Sequence, residues 1–133
     1  MSAKESGNKF FRQGGSANAQ LAMRQYSVAL RLCPSAAKRE RAILFCNQGA
    51  CLQELVRSLH LVPRSTYMGT YHTNRQPGTD DQSIHHQLQN AFDASLKMLH
   101  SAIAEDPTYV KANLRKAQVL AAMNRKEEAI AGA

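Results

Sequence analysis

Lys4-Glu-Ser-Gly-Asn-Lys-Phe-Phe11 is echoed by Phe45-Cys-Asn-Gln-Gly-Ala-Cys-Leu52 and again by Leu114-Arg-Lys-Ala-Gln-Val-Leu120. Each opens a unit with a second apolar stretch. Ala22-x-x-x-Tyr26-x-x-Ala29 and Pro34 follow the first, and Ser95-x-x-x-Leu99-x-x-Ala102 and Pro107 follow the second after a long interruption. Ala129 follows the third. Small residues stand where two helices must approach closely, and large apolar residues fill the adjacent layers. Leu21, Tyr26, Ala29, Leu30 and Leu32 recur at helical spacing, as do Phe92, Leu96, Leu99 and Ile103. No convincing alternation of period two appears. Pro34 and Pro107 stop the helices before them, and Ser35 and Asp106 are placed to cap the helices after them. The chain reads as all-α.

This pattern resembles the tetratricopeptide repeat, a helix–turn–helix unit of roughly 34 residues that stacks into a superhelix. The resemblance covers nearly the whole chain outside the interruption. In the third unit Ala117 and Ala129 stand 12 apart, as the family's small-residue positions require. The resemblance implies a helical-hairpin solenoid of about two and a half repeats in one domain. Repeat one covers 1–34, repeat two 38–107 with an insertion at about 53–94, and a partial repeat three 108–133. The third unit stops early in its second helix. A solenoid ordinarily ends in a capping helix, so the expectation is a fragment of a longer protein or a face covered by another chain.

Two departures from the pattern stand out. Gly14-Gly-Ser-Ala-Asn18 makes a slightly long turn in repeat one. In repeat two, Leu52 and Ser95 are 43 apart where the family spaces them about nine, so about 34 residues are inserted. Leu52, Leu55, Val56 and Leu59 continue the first helix of the repeat, and Ile84, Leu88, Ala91 and Phe92 lead into the second. Both helices are expected to extend as a projecting hairpin, with Leu55, Val56, Leu59, Ile84, Leu88 and Phe92 as its seam. Its tip, about 62–81, is polar and carries Pro63, Gly69, Pro77 and Gly78, the composition of a mobile loop.

The net charge of +7 is uneven: +6 over 1–41, −2 over 42–106 and +3 over 107–133. A basic field of this kind favours an acidic partner. No apolar run approaches a membrane span and no signal peptide is present, so the expectation is no membrane and a cytoplasmic protein, with the nucleus as the other compartment. Three cysteines, Cys33, Cys46 and Cys51, do not make a disulfide framework. Cys46 and Cys51 fall in the small-residue layer, where thiols pack rather than react.

The basic ends also carry the candidate site. Lys4 and Asn8 are four apart on one helix face, and so are Lys111 and Arg115 on another. The first helices of stacked repeats line the concave surface, which sets Asn47 between the two cationic pairs. Lysine and arginine give charge-assisted hydrogen bonds to carboxylates, and asparagine amides fix direction without repulsion. The set reads as a receptor for a peptide C-terminus ending in Asp, which offers two carboxylates. Taken singly, each residue is an ordinary solvated side chain; the arrangement is what points to a ligand.

The tetratricopeptide domains of heat-shock co-chaperones are similar at this set. They carry Lys-x-x-x-Asn, then Asn, then Lys-x-x-x-Arg, matched here by Lys4, Asn8, Asn47, Lys111 and Arg115. The resemblance implies binding of the Glu-Glu-Val-Asp C-termini of the seventy- and ninety-kilodalton heat-shock chaperones. Gln48-Gly49 departs from the family's usual Arg-Ala. Phe11 and Ala50 lie one turn beyond Asn8 and Asn47, either as groove floor under the peptide valine or as solenoid core.

Other chemistries find less support. His60, His72, His85, His86 and His100 lack metal-ligand spacing, and the adjacent His85 and His86 diverge by about 100° on a helix. No glycine-rich phosphate loop or nucleophile–base set is present. Aromatic residues are not interleaved with basic ones as stacking platforms, which argues against nucleic acid. The reading is a non-enzymatic adaptor without cofactors. The alternatives are the targeting domain of a phosphatase or prolyl isomerase, and a scaffold that works through the inserted hairpin. Limited proteolysis is expected to cut first in the tip, near Arg64 or Arg75. A first cut elsewhere would contradict the assignment of the tip.

Overall fold

The computed structural model describes the backbone of residues 1–61 and 79–131 and the side chains of 1–59 and 83–125. The described residues form five helices: α1 (Ala3–Gln13), α2 (Ser16–Leu32), α3 (Lys38–Leu61), α4 (Thr79–Glu105) and α5 (Val110–Ala131). Each helix packs on the next, and α5 also reaches α3. The architecture is an all-α helical solenoid.

The helix ends follow from local chemistry. Ser2 caps α1, its hydroxyl accepting from the Glu5 N–H at 3.1 Å. Pro34 and Pro107 stand just beyond the ends of α2 and α4, as expected. The link between α1 and α2 is shorter than the sequence suggested. It is Gly14-Gly15 alone, and Ser16, Ala17 and Asn18 already belong to α2. Both glycines have positive φ, 79° and 89°, which reverses the chain in two residues. Ser35 and Asp106 do not sit at helix N-caps. Ala37 immediately precedes α3, and Asp106 lies four residues before Val110. The Asp106 carboxylate instead accepts from the Thr108 N–H at 3.0 Å, closing a turn of its own.

Two apolar clusters hold the layers. Ala19, Ala22, Tyr26, Leu44 and Cys51 form one, and Val56, Phe92, Leu99, Ala102 and Val119 belong to the other. α3 contributes to both, so it is the spine of the domain. The small residues do the work the repeat pattern assigned them. A Cβ on Gly7 would stand 2.7 Å from the Tyr26 ring, and one on Gly49 2.9 Å from Leu99. Tyr26 and Leu99 occupy matching places in their repeats, and the two contacts set the helix spacing in each. Ser95 adds a buried hydrogen bond to the Gly49 carbonyl at 3.0 Å.

The extended second hairpin is present where the chain is described. Val56, Leu88 and Phe92 are buried in one cluster, with Leu59 and Ile84 packed against it. Leu55 is the exception among the six seam residues. It packs with Tyr26 and Cys51, because neighbours on a helix point about 100° apart. Of the expected tip, 62–78 lies outside the described residues, and 79–81 are the first turn of α4.

The third unit also differs. α5 runs unbroken from Val110 to Ala131, so Ala129 does not begin a second helix. Asn124-Arg-Lys-Glu-Glu128 has no glycine or proline to stop it, and most of these residues favour helix. Ala117, the third small-residue position, is exposed, as is Leu114 at 58%.

α5 is anchored at its start. Arg41 of α3 pairs with Glu105 at 3.0 Å and donates to the Leu30 carbonyl at 3.4 Å, joining three helices. Arg39 pairs with Asp106 at 3.3 Å and lies 4.7 Å over the Tyr109 ring. Gly7→Ala is expected to destabilise the domain by about 1–3 kcal/mol, since an aromatic ring cannot yield without moving α2. Denaturant unfolding measures this, and an unchanged midpoint would contradict the tight contact.

Candidate functional site

The first helices of the three units, α1, α3 and α5, meet around a groove of about 210 Å³. α1 contributes Asn8, Phe11 and Arg12 to its lining, and α2 contributes Tyr26. α3 contributes Asn47 and Ala50. Lys111 and Arg115 form the α5 wall. No carboxylate lines it among the described residues. The groove is therefore a cluster of donors and positive charge, with Phe11 and Ala50 as apolar surface.

The residues marked in the sequence mostly converge here. Asn8, Asn47, Lys111 and Arg115 share the groove, and so do Phe11 and Ala50. Ala50 is buried and Phe11 half-buried, and Phe11 also packs against the Tyr26 cluster. It therefore serves core and groove together. Lys4 does not line the cavity. Its ammonium is 2.9 Å from the Glu40 carboxylate, which turns it toward the start of α3. That pairing was not anticipated, because the i, i+4 spacing from Lys4 to Asn8 says nothing of a carboxylate on a neighbouring helix.

Three further residues shape the groove. The Tyr26 hydroxyl donates to Asn8 Oδ1 at 2.6 Å. This uses the amide oxygen as an acceptor and leaves the Asn8 NH₂ free to donate. Gln53 Oε1 accepts from Arg115 at 2.9 Å and steadies the guanidinium. Arg115 Nε is buried and finds no acceptor. It lies against the Cys46 thiol, whose upward shift the guanidinium opposes, and the rest of the guanidinium is left to serve the groove. Arg12 is the third. Its signal was in the sequence, since Lys4, Asn8 and Arg12 fall four apart on one helix face. Gln53, six residues after Asn47, was harder to find.

Burial governs the neighbouring titrations. Desolvation pushes the Tyr26 hydroxyl up to about 12, with Cys51 adding to the rise and Arg12 opposing it. Desolvation also raises Cys51 to about 12 and raises Cys46, where Arg115 and Lys111 work against the shift. These thiols are buried and stay protonated at neutral pH, as inert packing groups do. Glu54 accepts from the Gly15 N–H at 3.3 Å and ties the first turn to α3. The Arg57 hydrogen bond holds its carboxyl below the usual range. His85, His86 and His100 are exposed, and His60 and His72 lie outside the residues described with side chains. Among the described residues no three His, Cys, Asp or Glu are grouped to hold a metal ion.

The tetratricopeptide repeat family model matches residues 87–132, most of α4 and α5 together with the turn between them. With the all-helical stacking, this supports a tetratricopeptide-repeat domain, and such repeats generally mediate protein–protein interaction. No curated protein and no solved structure matches the chain. Among the described residues no helix is long and apolar enough to cross a membrane.

The raised tyrosine and thiol make an alkaline prediction. Tyr26 rises from 10.0 and Cys51 from 9.0, so the folded state holds both protons more tightly than the unfolded chain. Their contribution to stability is complete below pH 9 and is lost as pH rises toward about 12. The melting temperature should fall across that window, and in Tyr26→Phe the fall above pH 10 should be shallower. Parallel profiles for the two proteins would contradict a buried, proton-holding Tyr26.

Proposed function

We propose that the α1–α3–α5 groove receives the carboxylate end of an acidic peptide. Its ligand is the C-terminal Glu-Glu-Val-Asp segment of the seventy- and ninety-kilodalton heat-shock chaperones, which makes the chain a co-chaperone adaptor. The observation that carries this reading is the gathering of Asn8, Asn47, Lys111 and Arg115 around one cavity with no carboxylate in its lining among the described residues. A terminal Asp brings a main-chain and a side-chain carboxylate. Arginine and lysine on the α5 wall, Lys111 and Arg115, offer charge-assisted hydrogen bonds. The amides of Asn8 and Asn47 fix the direction of the peptide end. Ala50 and Phe11 offer a small apolar surface for the valine.

Calorimetric titration of Glu-Glu-Val-Asp as free acid and as C-terminal amide tests the reading. The free acid should bind with a dissociation constant on the order of micromolar, weakening as salt rises. Amidation should remove most of the affinity. Lys111→Ala or Arg115→Ala should each reduce binding at least tenfold with the fold intact, since both act on the groove rather than the core. Asn47→Ala should cost about 1–3 kcal/mol of binding. Equal binding of acid and amide would defeat the proposal.

A further inference from the structure

We propose that Arg12, rather than Lys4, is the cation that α1 presents to a bound peptide, and that it pairs with an acidic side chain upstream of the terminal residue. The inference rests on the groove being a peptide site, and it concerns which residues of α1 the peptide meets.

Arg12 lies one turn beyond Asn8 on the same face of α1 and lines the cavity beside Phe11 and Tyr26. It is exposed, and among the described residues no hydrogen bond or ion pair holds it. Lys4 lies one turn on the other side of Asn8, outside the lining, with its ammonium 2.9 Å from Glu40. For Lys4 to take a peptide carboxylate, its ammonium must be shared with Glu40 or drawn away from it, and Glu40 then lies close to an anionic ligand. Arg12 has no pair to break. Its charge already reaches the groove, for it opposes the upward shift that burial imposes on the Tyr26 hydroxyl.

The placement of charge then divides the ligand. Lys111 and Arg115 of α5 line the cavity together with Arg12 of α1 and Asn47 and Ala50 of α3. The two carboxylates of a terminal Asp are served by the α5 cations and the amides. A third carboxylate, on a residue before the valine, would meet Arg12, whose planar fork suits a carboxylate in two parallel hydrogen bonds. The chemical class this selects is an acidic C-terminal peptide with at least one further Glu or Asp upstream. Glu40 weakens the draw of Lys4 on the ligand by competing for its ammonium.

The test is calorimetric titration of wild type, Arg12→Gln, Lys4→Gln and Glu40→Gln with Glu-Glu-Val-Asp and with Gln-Gln-Val-Asp, melting curves confirming that each variant folds. Arg12→Gln should weaken the acidic peptide about fivefold to tenfold and leave Gln-Gln-Val-Asp unchanged. Lys4→Gln should stay within about twofold of wild type, and Glu40→Gln should bind the acidic peptide more tightly as Lys4 is released. The inference is overturned if Arg12→Gln binds as wild type does, if its loss is the same for both peptides, or if Lys4→Gln loses more than Arg12→Gln. Those outcomes leave the groove reading standing so long as wild type still distinguishes free acid from amide. Loss of that distinction removes both.

Discussion

The contact between Gly7 and the Tyr26 ring joins the fold to the site. A side chain on residue 7 would collide with the ring, so α1 can lie this close to α2 only because glycine stands there. That approach brings the Tyr26 hydroxyl to Asn8, where a 2.6 Å bond commits the amide oxygen and leaves its nitrogen free to donate. The same ring is the largest fully buried side chain among the described residues and belongs to the first apolar cluster. One residue thus spaces two helices, fills a core and aims a donor. The Gly49–Leu99 contact repeats the spacing role in the second unit without any polar consequence, since leucine has nothing to aim.

The site has an electrostatic tension that the rest of the domain holds in place. Arg12, Lys111 and Arg115 converge on a cavity with no carboxylate in its lining among the described residues, while nearby acids are engaged elsewhere. Glu40 is taken by Lys4, Glu54 by Arg57 and Gly15, and Glu105 by Arg41. The acids fasten the helices and the surplus cations are left facing the groove. Arg115 is held by Gln53, a neutral partner that orients the guanidinium without neutralising it. Behind the groove the Cys46 and Cys51 thiols stay protonated and leave the positive charge of Arg115 unneutralised.

Much of this was legible in the sequence, and what was not has identifiable causes. The spacing of small and large apolar residues in Ala22-x-x-x-Tyr26 and Ser95-x-x-x-Leu99 carried the helical pairing, because close approach allows few residues. The meeting of Asn8, Asn47, Lys111 and Arg115 followed from helix periodicity once the units were aligned. The position of Lys4 did not, since its partner Glu40 belongs to a different helix and one sequence holds no trace of which surface charges meet. Arg12 was visible as a third member of the Lys4–Asn8 row. The unbroken α5 shows local propensity carrying a helix through a position where the repeat pattern placed a turn. Leu55 shows the limit of face assignment in α3, whose two sides are both apolar.

The central claim is that the groove, and no other face, meets a peptide carboxylate. The most direct measurement is nuclear magnetic resonance of the side-chain N–H groups during titration with a free-acid Glu-Glu-Val-Asp peptide. The largest shifts are expected at the Arg115 guanidinium and at the Asn8 and Asn47 side-chain amides, all saturating together. Shifts confined to the outer face of α4, around Lys97 and His100, with the Arg115 guanidinium unmoved, would contradict the claim.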